Sequence, residues 1–185
     1  MQITFTFRTN EILSLPIHYN HLVQGFIYHS IDQDLASFLH EQGFMVNQRT
    51  FKLFVFSRIL GNYYIDQKNG NIHFGSPFKL VIASPLDYFC RSLCQCILQR
   101  GALWIGNTPF EDIEVSIDEP RVKTDIIEIS TLSPITVYST LLKADGRKYT
   151  CYFQPGEPEF NHLITENIKK KYEAIYRTNS PEGNI

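Results

Sequence analysis

Apolar and polar residues alternate at the start of the chain, with Ile3, Phe5 and Phe7 on one side. This period of two predicts a strand over residues 1–8. After Pro16 the apolar residues recur at helical spacing, which predicts a helix with one apolar side. That side carries Leu22, Val23, Phe26, Ile27 and Ile31.

Two aspartates follow this first helix and predict a break in it. Asp32 and Asp34 interrupt the helical pattern, and Asp34 can cap a short second helix that ends at His40. Strands are then predicted over residues 51–60 and 72–83. The Asn69-Gly70 pair between them is a turn signal, because both residues accept positive φ.

The next helix has a clear predicted beginning and end. Ser84 is expected as its N-cap, Pro85 as its first residue and Gly101 as its stop. A final strand is predicted over residues 110–122, with a short additional strand over 102–105. The order is then β-α-β-β-α-β, so we expect an α+β protein with a ferredoxin-like domain over residues 1–122.

A second unit is predicted from residue 123 onward. Residues 126–129, 135–138 and 148–153 have the pattern of strands, and an amphipathic helix follows Pro158. Residues 123–185 are therefore expected to form an incomplete second ferredoxin-like domain. The helix needs a sheet to cover its apolar side, and the few strands available predict only partial cover.

Composition changes this picture only modestly. Apolar residues make up 43% of the 185 residues, which suits a packed core, and the formal net charge is −2. That charge argues mildly against a nucleic-acid binder, yet basic residues cluster in residues 49–58, 143–148 and 169–171. Solvated faces explain such clusters equally well.

The chain has neither a membrane-length apolar run nor a signal-peptide pattern, and its cysteines suit core thiols, so a cytoplasmic location is expected.

Motifs for nucleotide binding, zinc proteases and serine hydrolases are missing from the sequence. Four of the six histidines fall within residues 18–40. His18 and His21 could share a metal ion, but no cysteine or carboxylate is spaced to complete that site. We therefore expect no metal and no cofactor.

Five short segments occur in order along the chain: LPIHYNH (15–21), QGFIY (24–28), FLHE (38–41), FKLFVFS (51–57) and LSPI (132–135). Together they resemble the CRISPR repeat-processing endoribonucleases of the RAMP superfamily, and the resemblance extends over nearly all of the chain. The resemblance implies RNA cleavage without metal, by attack of a ribose 2′-hydroxyl on the adjacent phosphate. It also implies that Tyr28, His40 and Lys52 form the catalytic set. A non-cleaving RNA-binding subunit of a CRISPR effector complex is the alternative.

Elementary chemistry agrees with this set, although it could not have selected it. The reaction needs a base for the 2′-hydroxyl, an acid for the departing oxygen and positive charge at the phosphate. We expect His40 as the base, Tyr28 as acid or orienting group and Lys52 as the cation, and the first two roles could be exchanged. Further substrate contacts are expected from four basic residues: His18, His21, Arg49 and Arg58.

Geometry sets a condition on this hypothesis. Tyr28 and His40 are twelve positions apart, about 18 Å along an unbroken helix, so they can share a phosphate only if the helix breaks between them. Structural roles compete with each assignment. Tyr28 could lie at the rim of the core, His40 could interact with a helix dipole, and Lys52 could protect a strand edge.

The expected partners are CRISPR repeat RNA, other CRISPR effector proteins and a second copy of the chain, with no membrane. The resemblance also implies a glycine-rich segment near the C-terminus, and the sequence ends before one appears. From this we expect weak RNA binding and poor cleavage by the 185-residue chain relative to an intact gene product.

Overall fold

The computed structural model describes residues 1–183 and contains thirteen strands and four helices there. The strands are β1 (Gln2–Arg8), β2 (Leu13–Pro16), β3 (Phe44–Val46), β4 (Arg49–Phe51), β5 (Val55–Phe56), β6 (Tyr63–Asp66), β7 (Asn71–Phe74), β8 (Phe78–Ala83), β9 (Leu103–Ile105), β10 (Thr108–Phe110), β11 (Asp112–Asp118), β12 (Val137–Leu142) and β13 (Lys148–Phe153). The helices are α1 (Asn20–His29), α2 (Gln33–Glu41), α3 (Asp87–Gln99) and α4 (Pro158–Tyr176). Within this range no helix is both long enough and apolar enough to cross a membrane.

The chain divides into two compact units. The first contains Met1–Gln42 and Lys52–Leu132, and the second contains Gly43–Phe51 together with the residues from Ser133 onward. The predicted domain boundary between residues 122 and 123 stays a prediction. The last two residues of the predicted second domain, 184 and 185, lie outside the described chain.

The main sheet of the first unit has the strand order β11-β1-β8-β5, and every neighbouring pair in it is antiparallel. Strand β1 is central, with Phe5 opposite Val115 on one side and Leu80 on the other. Its predicted alternation is confirmed, because Ile3, Phe5 and Phe7 are all fully buried. This face of β1 forms the base of the core.

Helix α1 lies on that face of the sheet. The ring of Phe26 meets the rings of Phe5 and Phe7 edge-on, with centroid distances of 6.0 and 6.2 Å. Val23 and Ile27 lie on the same side of the helix and are buried as well. The apolar stripe predicted after Pro16 is thus the side by which α1 attaches to the sheet.

The α+β class is confirmed, but the chain does not contain the simple six-element order. Strands β2, β7 and β6 form a separate three-stranded sheet, and β9 and β10 form a hairpin between α3 and β11. The strand predicted over residues 72–83 is divided into β7 and β8 around Pro77. Sequence periodicity missed this division because apolar residues lie on both sides of it.

Three further sequence predictions need correction. The cap of α2 is Asp32, not Asp34, and the cap of α3 is Leu86, with Ser84 two positions upstream. The strand predicted over residues 51–60 is reduced to Phe51, the last residue of β4, and to Val55–Phe56, because Leu53 takes φ 56° and turns the chain. Residues 126–129, although rich in isoleucine, form no strand.

In the second unit, β12 pairs with β13 and β3 pairs with β4, both antiparallel. Helix α4 contacts β3 and β12, and Ala174 is its fully buried residue. Several large apolar side chains remain exposed on the β12–β13 pair, among them Tyr138, Leu142 and Tyr152. The strands and the amphipathic helix predicted here are therefore present, and much of this strand pair is uncovered in the described chain.

The cap at Asp32 generates a first prediction. Its side chain accepts hydrogen bonds from the backbone N–H groups of Asp34 and Leu35, at 3.0 and 3.1 Å. Asp32→Ala removes both bonds and should cost about 1 kcal/mol, a fall in Tm of about 2–4 °C for a chain of this size. Asp32→Asn is the matched control, because asparagine caps helices equally well. An equal loss of Tm in both variants would contradict the capping role.

Candidate active site

The structure brings Tyr28 and His40 together. Helix α1 ends at His29 and α2 begins at Gln33, so the break required by the sequence is present. The two rings meet nearly perpendicularly, with their centroids 5.9 Å apart. Tyr28 is half-buried and His40 is exposed, so a ligand can reach the imidazole from solvent.

Lys52 completes this cluster through a hydrogen bond to the backbone. Its Nζ donates to the carbonyl oxygen of His40 at 2.9 Å. This carbonyl lies in the last turn of α2, where a positive charge is favoured by the helix dipole. A lysine ammonium has three N–H donors, so two remain for a second acceptor such as a phosphate oxygen.

The segment after Lys52 packs against the cluster and supports it. Leu53 takes a left-handed backbone conformation, φ 56°, with its side chain buried. Phe54 then packs edge-on against Tyr28 at 5.8 Å and stacks on Phe89 of α3 at 5.1 Å. Tyr28 is therefore fixed by two aromatic neighbours, His40 on one side and Phe54 on another.

Ser84 links this segment to the beginning of α3. Its hydroxyl donates to the carbonyl oxygen of Leu53 at 2.7 Å and accepts from the N–H of Leu86 at 3.1 Å. A left-handed conformation costs a residue other than glycine roughly 1–2 kcal/mol. The buried hydrogen bond and the burial of the leucine side chain offset that cost and keep the turn after Lys52 in place.

The surroundings of Tyr28 favour the neutral, protonated form of its phenol. Burial raises the pKa of Tyr28 above the ordinary value, and a hydrogen bond from the side chain of Gln24 lowers it by a smaller amount. A tyrosine with a raised pKa carries its proton throughout the neutral range. The environment therefore suits a proton donor better than a base.

The other predicted site residues lie on other elements or in other turns of the chain. His18 lies in the turn before α1, and its carbonyl oxygen accepts a hydrogen bond from Nδ1 of His21 at 2.9 Å. His21 is seven positions before Tyr28, about 10 Å along the helix. Arg58 is exposed after β5, and Arg49 belongs to β4 of the second unit. In residues 1–183, no three histidine, cysteine or carboxylate side chains form a set that could hold a metal ion.

Sequence reasoning missed two residues that position the cluster. Phe54 has a sequence signal, since it interrupts the alternation of Leu53 and Val55 in a segment predicted as a strand, but that signal does not point to Tyr28. Gln24 lies one helical turn before Tyr28, and i, i+4 spacing alone could have suggested its contact with the phenol.

Comparisons with known proteins show which proteins this chain is similar to. A family model described as "CRISPR associated protein Cas6, C-terminal" matches residues 117–185. A protein of Methanocaldococcus jannaschii described as "CRISPR-associated endoribonuclease Cas6 1" is 28% identical over 179 residues, which cover 95% of this chain and 67% of the relative. A solved structure described as "CRISPR associated protein Cas6" has a TM-score of 0.66 at 25% identity and covers 97% of this chain and 73% of its own. Residues 117–185 thus match the C-terminal part of the Cas6 family, and most of the chain is similar to a Cas6 endoribonuclease.

Two further solved structures show the same fold at lower identity. One, described as a Cas6-related gene from Pyrococcus furiosus, has a TM-score of 0.70 at 19% identity and covers 97% of this chain and 72% of its own. The other, described as "An RAMP protein binding different RNA substrates", has a TM-score of 0.66 at 20% identity, with 97% and 73% covered. Cas6 and RAMP proteins of this kind have ferredoxin-like domains, so the predicted fold class is confirmed.

The environment of Tyr28 generates a second prediction. Because burial raises the pKa of Tyr28, its phenol should lose its proton only above the usual value of about 10. An ultraviolet absorbance titration of the wild type, minus that of Tyr28→Phe, isolates this one phenolate among the ten tyrosines. A difference curve with its midpoint at or below the usual value would show that Tyr28 is solvated and free of its aromatic neighbours.

Proposed function

We propose that this chain is a Cas6-type endoribonuclease that cleaves CRISPR repeat RNA at the cluster of Tyr28, His40 and Lys52. The observation that carries the proposal is that a short break between α1 and α2 brings the phenol of Tyr28 against the imidazole of His40, while the ammonium of Lys52 bonds the backbone carbonyl of His40. The activity in the name of the Methanocaldococcus jannaschii relative supports it, as does the RNA binding in the description of a structural neighbour.

The proposed reaction uses a nucleophile from the substrate itself. His40 takes the proton of a ribose 2′-hydroxyl, and the oxygen attacks the adjacent phosphorus. The bond from phosphorus to the 5′ oxygen breaks, which leaves a 2′,3′-cyclic phosphate on one product. Tyr28 gives its proton to the departing oxygen, which becomes a 5′-hydroxyl on the other product. Atoms and charge balance without a metal-bound water.

The surroundings of the three residues support this division of roles. The pKa of Tyr28 is raised by burial, which keeps the phenol protonated and suits the acid. His40 is exposed and can meet a ribose from solvent. Lys52 has donors left for a non-bridging phosphate oxygen, and charge at that oxygen increases as the phosphorane forms.

A third prediction tests the base. His40→Ala should lower the cleavage rate of a CRISPR repeat RNA by about 10²-fold or more, the scale of a lost acid or base. RNA affinity should change little, because the imidazole acts mainly during proton transfer. The matched control is His162→Ala, which removes an exposed histidine of α4 in the second unit. Near-normal cleavage by His40→Ala would remove His40 from the reaction.

A fourth prediction tests the nucleophile. Replacing the single ribose 5′ of the cut by deoxyribose should abolish cleavage of that substrate, while its binding should persist. Cleavage of the all-ribose substrate should continue in EDTA, because the proposed attack needs no metal-bound water. Cutting of the deoxy substrate, or loss of activity in EDTA that magnesium restores, would refute this route. Binding of the all-ribose RNA without any cutting would instead indicate a non-cleaving RNA-binding subunit.

A further inference from the structure

A second concave site lies along α1, separate from the cluster of Tyr28, His40 and Lys52. It is a cavity of about 450 Å³ between α1 and the β9–β10 hairpin, within the first unit. The residues used below all line it: His21, His29, Arg100, Trp104 and Asn107. The volume falls within the roughly 300–1,000 Å³ that is usual for small-ligand sites. None of its lining residues is part of the proposed catalytic set.

Trp104 supplies an exposed aromatic wall. In β9 its neighbours Leu103 and Ile105 are buried, which anchors the strand, while 55% of Trp104 remains exposed. The hairpin turns tightly at Gly106, φ 61°, and β10 pairs directly with β9. The indole is therefore an exposed ring on a hairpin held by its buried neighbours, and exposed aromatic rings of this kind stack on bases.

Arg100 supplies the positive charge. One guanidinium nitrogen, Nη1, donates to the carbonyl oxygen of His29 in the last turn of α1. A guanidinium has five N–H donors in a planar fork, so this bond orients the group and leaves donors for a phosphate. The helix dipole also favours a cation at this position.

The two histidines on the rim have their tautomers fixed by backbone bonds. Nδ1 of His21 bonds the carbonyl of His18 at 2.9 Å, and Nδ1 of His29 bonds the carbonyl of Gly25 at 2.6 Å. A carbonyl can only accept, so Nδ1 carries the proton in each neutral ring and Nε2 is an acceptor. The side-chain amide of Asn107 adds donors and an acceptor. Acceptors and amides of this kind match the edges of nucleobases.

We infer that this cavity binds one nucleotide of single-stranded RNA, with the base stacked on Trp104 and the phosphate bound by Arg100. The ligand class rests on the RNA-binding part of the proposed function. The bound nucleotide would flank the cleaved phosphate, because Tyr28 of the catalytic cluster and His29 of the cavity are consecutive residues of α1. The last turn of the helix thus contributes a residue to each site.

Trp104 provides its own reporter, because it is the chain's only tryptophan. A short single-stranded oligouridylate labelled at its 5′ end is titrated with protein at fixed salt, since phosphate-driven affinity varies steeply with salt. Binding is followed by anisotropy of the label and by tryptophan fluorescence. We expect Trp104 fluorescence to be quenched with the same Kd that anisotropy gives. Saturated binding with unchanged tryptophan fluorescence overturns the inference.

Variants separate stacking and charge from folding. Trp104→Ala should raise Kd about tenfold, since it removes the ring on which the base stacks, while Trp104→Phe should bind nearly as the wild type. Arg100→Gln should weaken binding to a similar extent, and the matched control is Arg91→Gln, an exposed arginine of α3 outside the cavity. Circular dichroism checks folding in each case. Equal affinities for Trp104→Ala, Arg100→Gln and Arg91→Gln contradict the inference.

The outcome can be distinguished from that of the proposed cleavage. If RNA quenches the fluorescence of Trp104 but the protein does not cut the RNA, nucleotide binding in the cavity is supported and only the proposed nuclease activity is rejected. If cleavage depends on His40 but bound RNA leaves the fluorescence of Trp104 unchanged, nucleotide binding in the cavity is rejected and the proposed nuclease activity is retained. Failure to bind any RNA overturns both.

Discussion

The packing of Phe26 against Phe5 and Phe7 determines where the proposed active site is located. Strand β1 is central in its sheet, and these two phenylalanines provide the fully buried face on which α1 lies. Loss of one such ring costs about 3–5 kcal/mol, far more than an exposed hydrogen bond or ion pair. The helix is therefore attached by its apolar side, and its two polar sides are left for Tyr28 and for the cavity at His29.

Aromatic packing also extends outward from this attachment. Phe54 contacts Tyr28 and stacks on Phe89, so the candidate active site is supported by rings from a loop and from α3. The hydrogen bond to the carbonyl of His40 then orients the ammonium group of Lys52 beside rings that packing already holds in place. Because aromatic packing, more than hydrogen bonding, holds this site together, its polar groups stay available to a ligand.

Local signals in the sequence predicted those parts of the fold that depend on local energetics. The alternation in β1, the stripe of α1 and the break after Ser30 each follow from a short pattern of residues and are present in the structure. The break was predictable because aspartate side chains accept backbone N–H bonds, although the pattern could not choose between Asp32 and Asp34. The gathering of Tyr28 and His40 follows from that break.

Other parts could not be predicted because they depend on contacts distant in sequence. The buried bond from Ser84 to Leu53 spans 31 positions, and no local pattern indicates that Leu53 turns left-handed there. The separate sheet of β2, β7 and β6 likewise requires pairing between residues far apart in the chain. Arg100 reaches His29 across a still longer separation, so neither residue showed in sequence as part of a cavity.

Leu53 links folding stability to the proposed activity. A glycine there would relieve the left-handed strain, yet it would remove a buried side chain and let the backbone between Lys52 and Phe54 sample more conformations. The ammonium and the aromatic support would then lose their fixed separation. A single buried side chain at this position would therefore serve both the stability of the fold and the rate of the proposed cleavage.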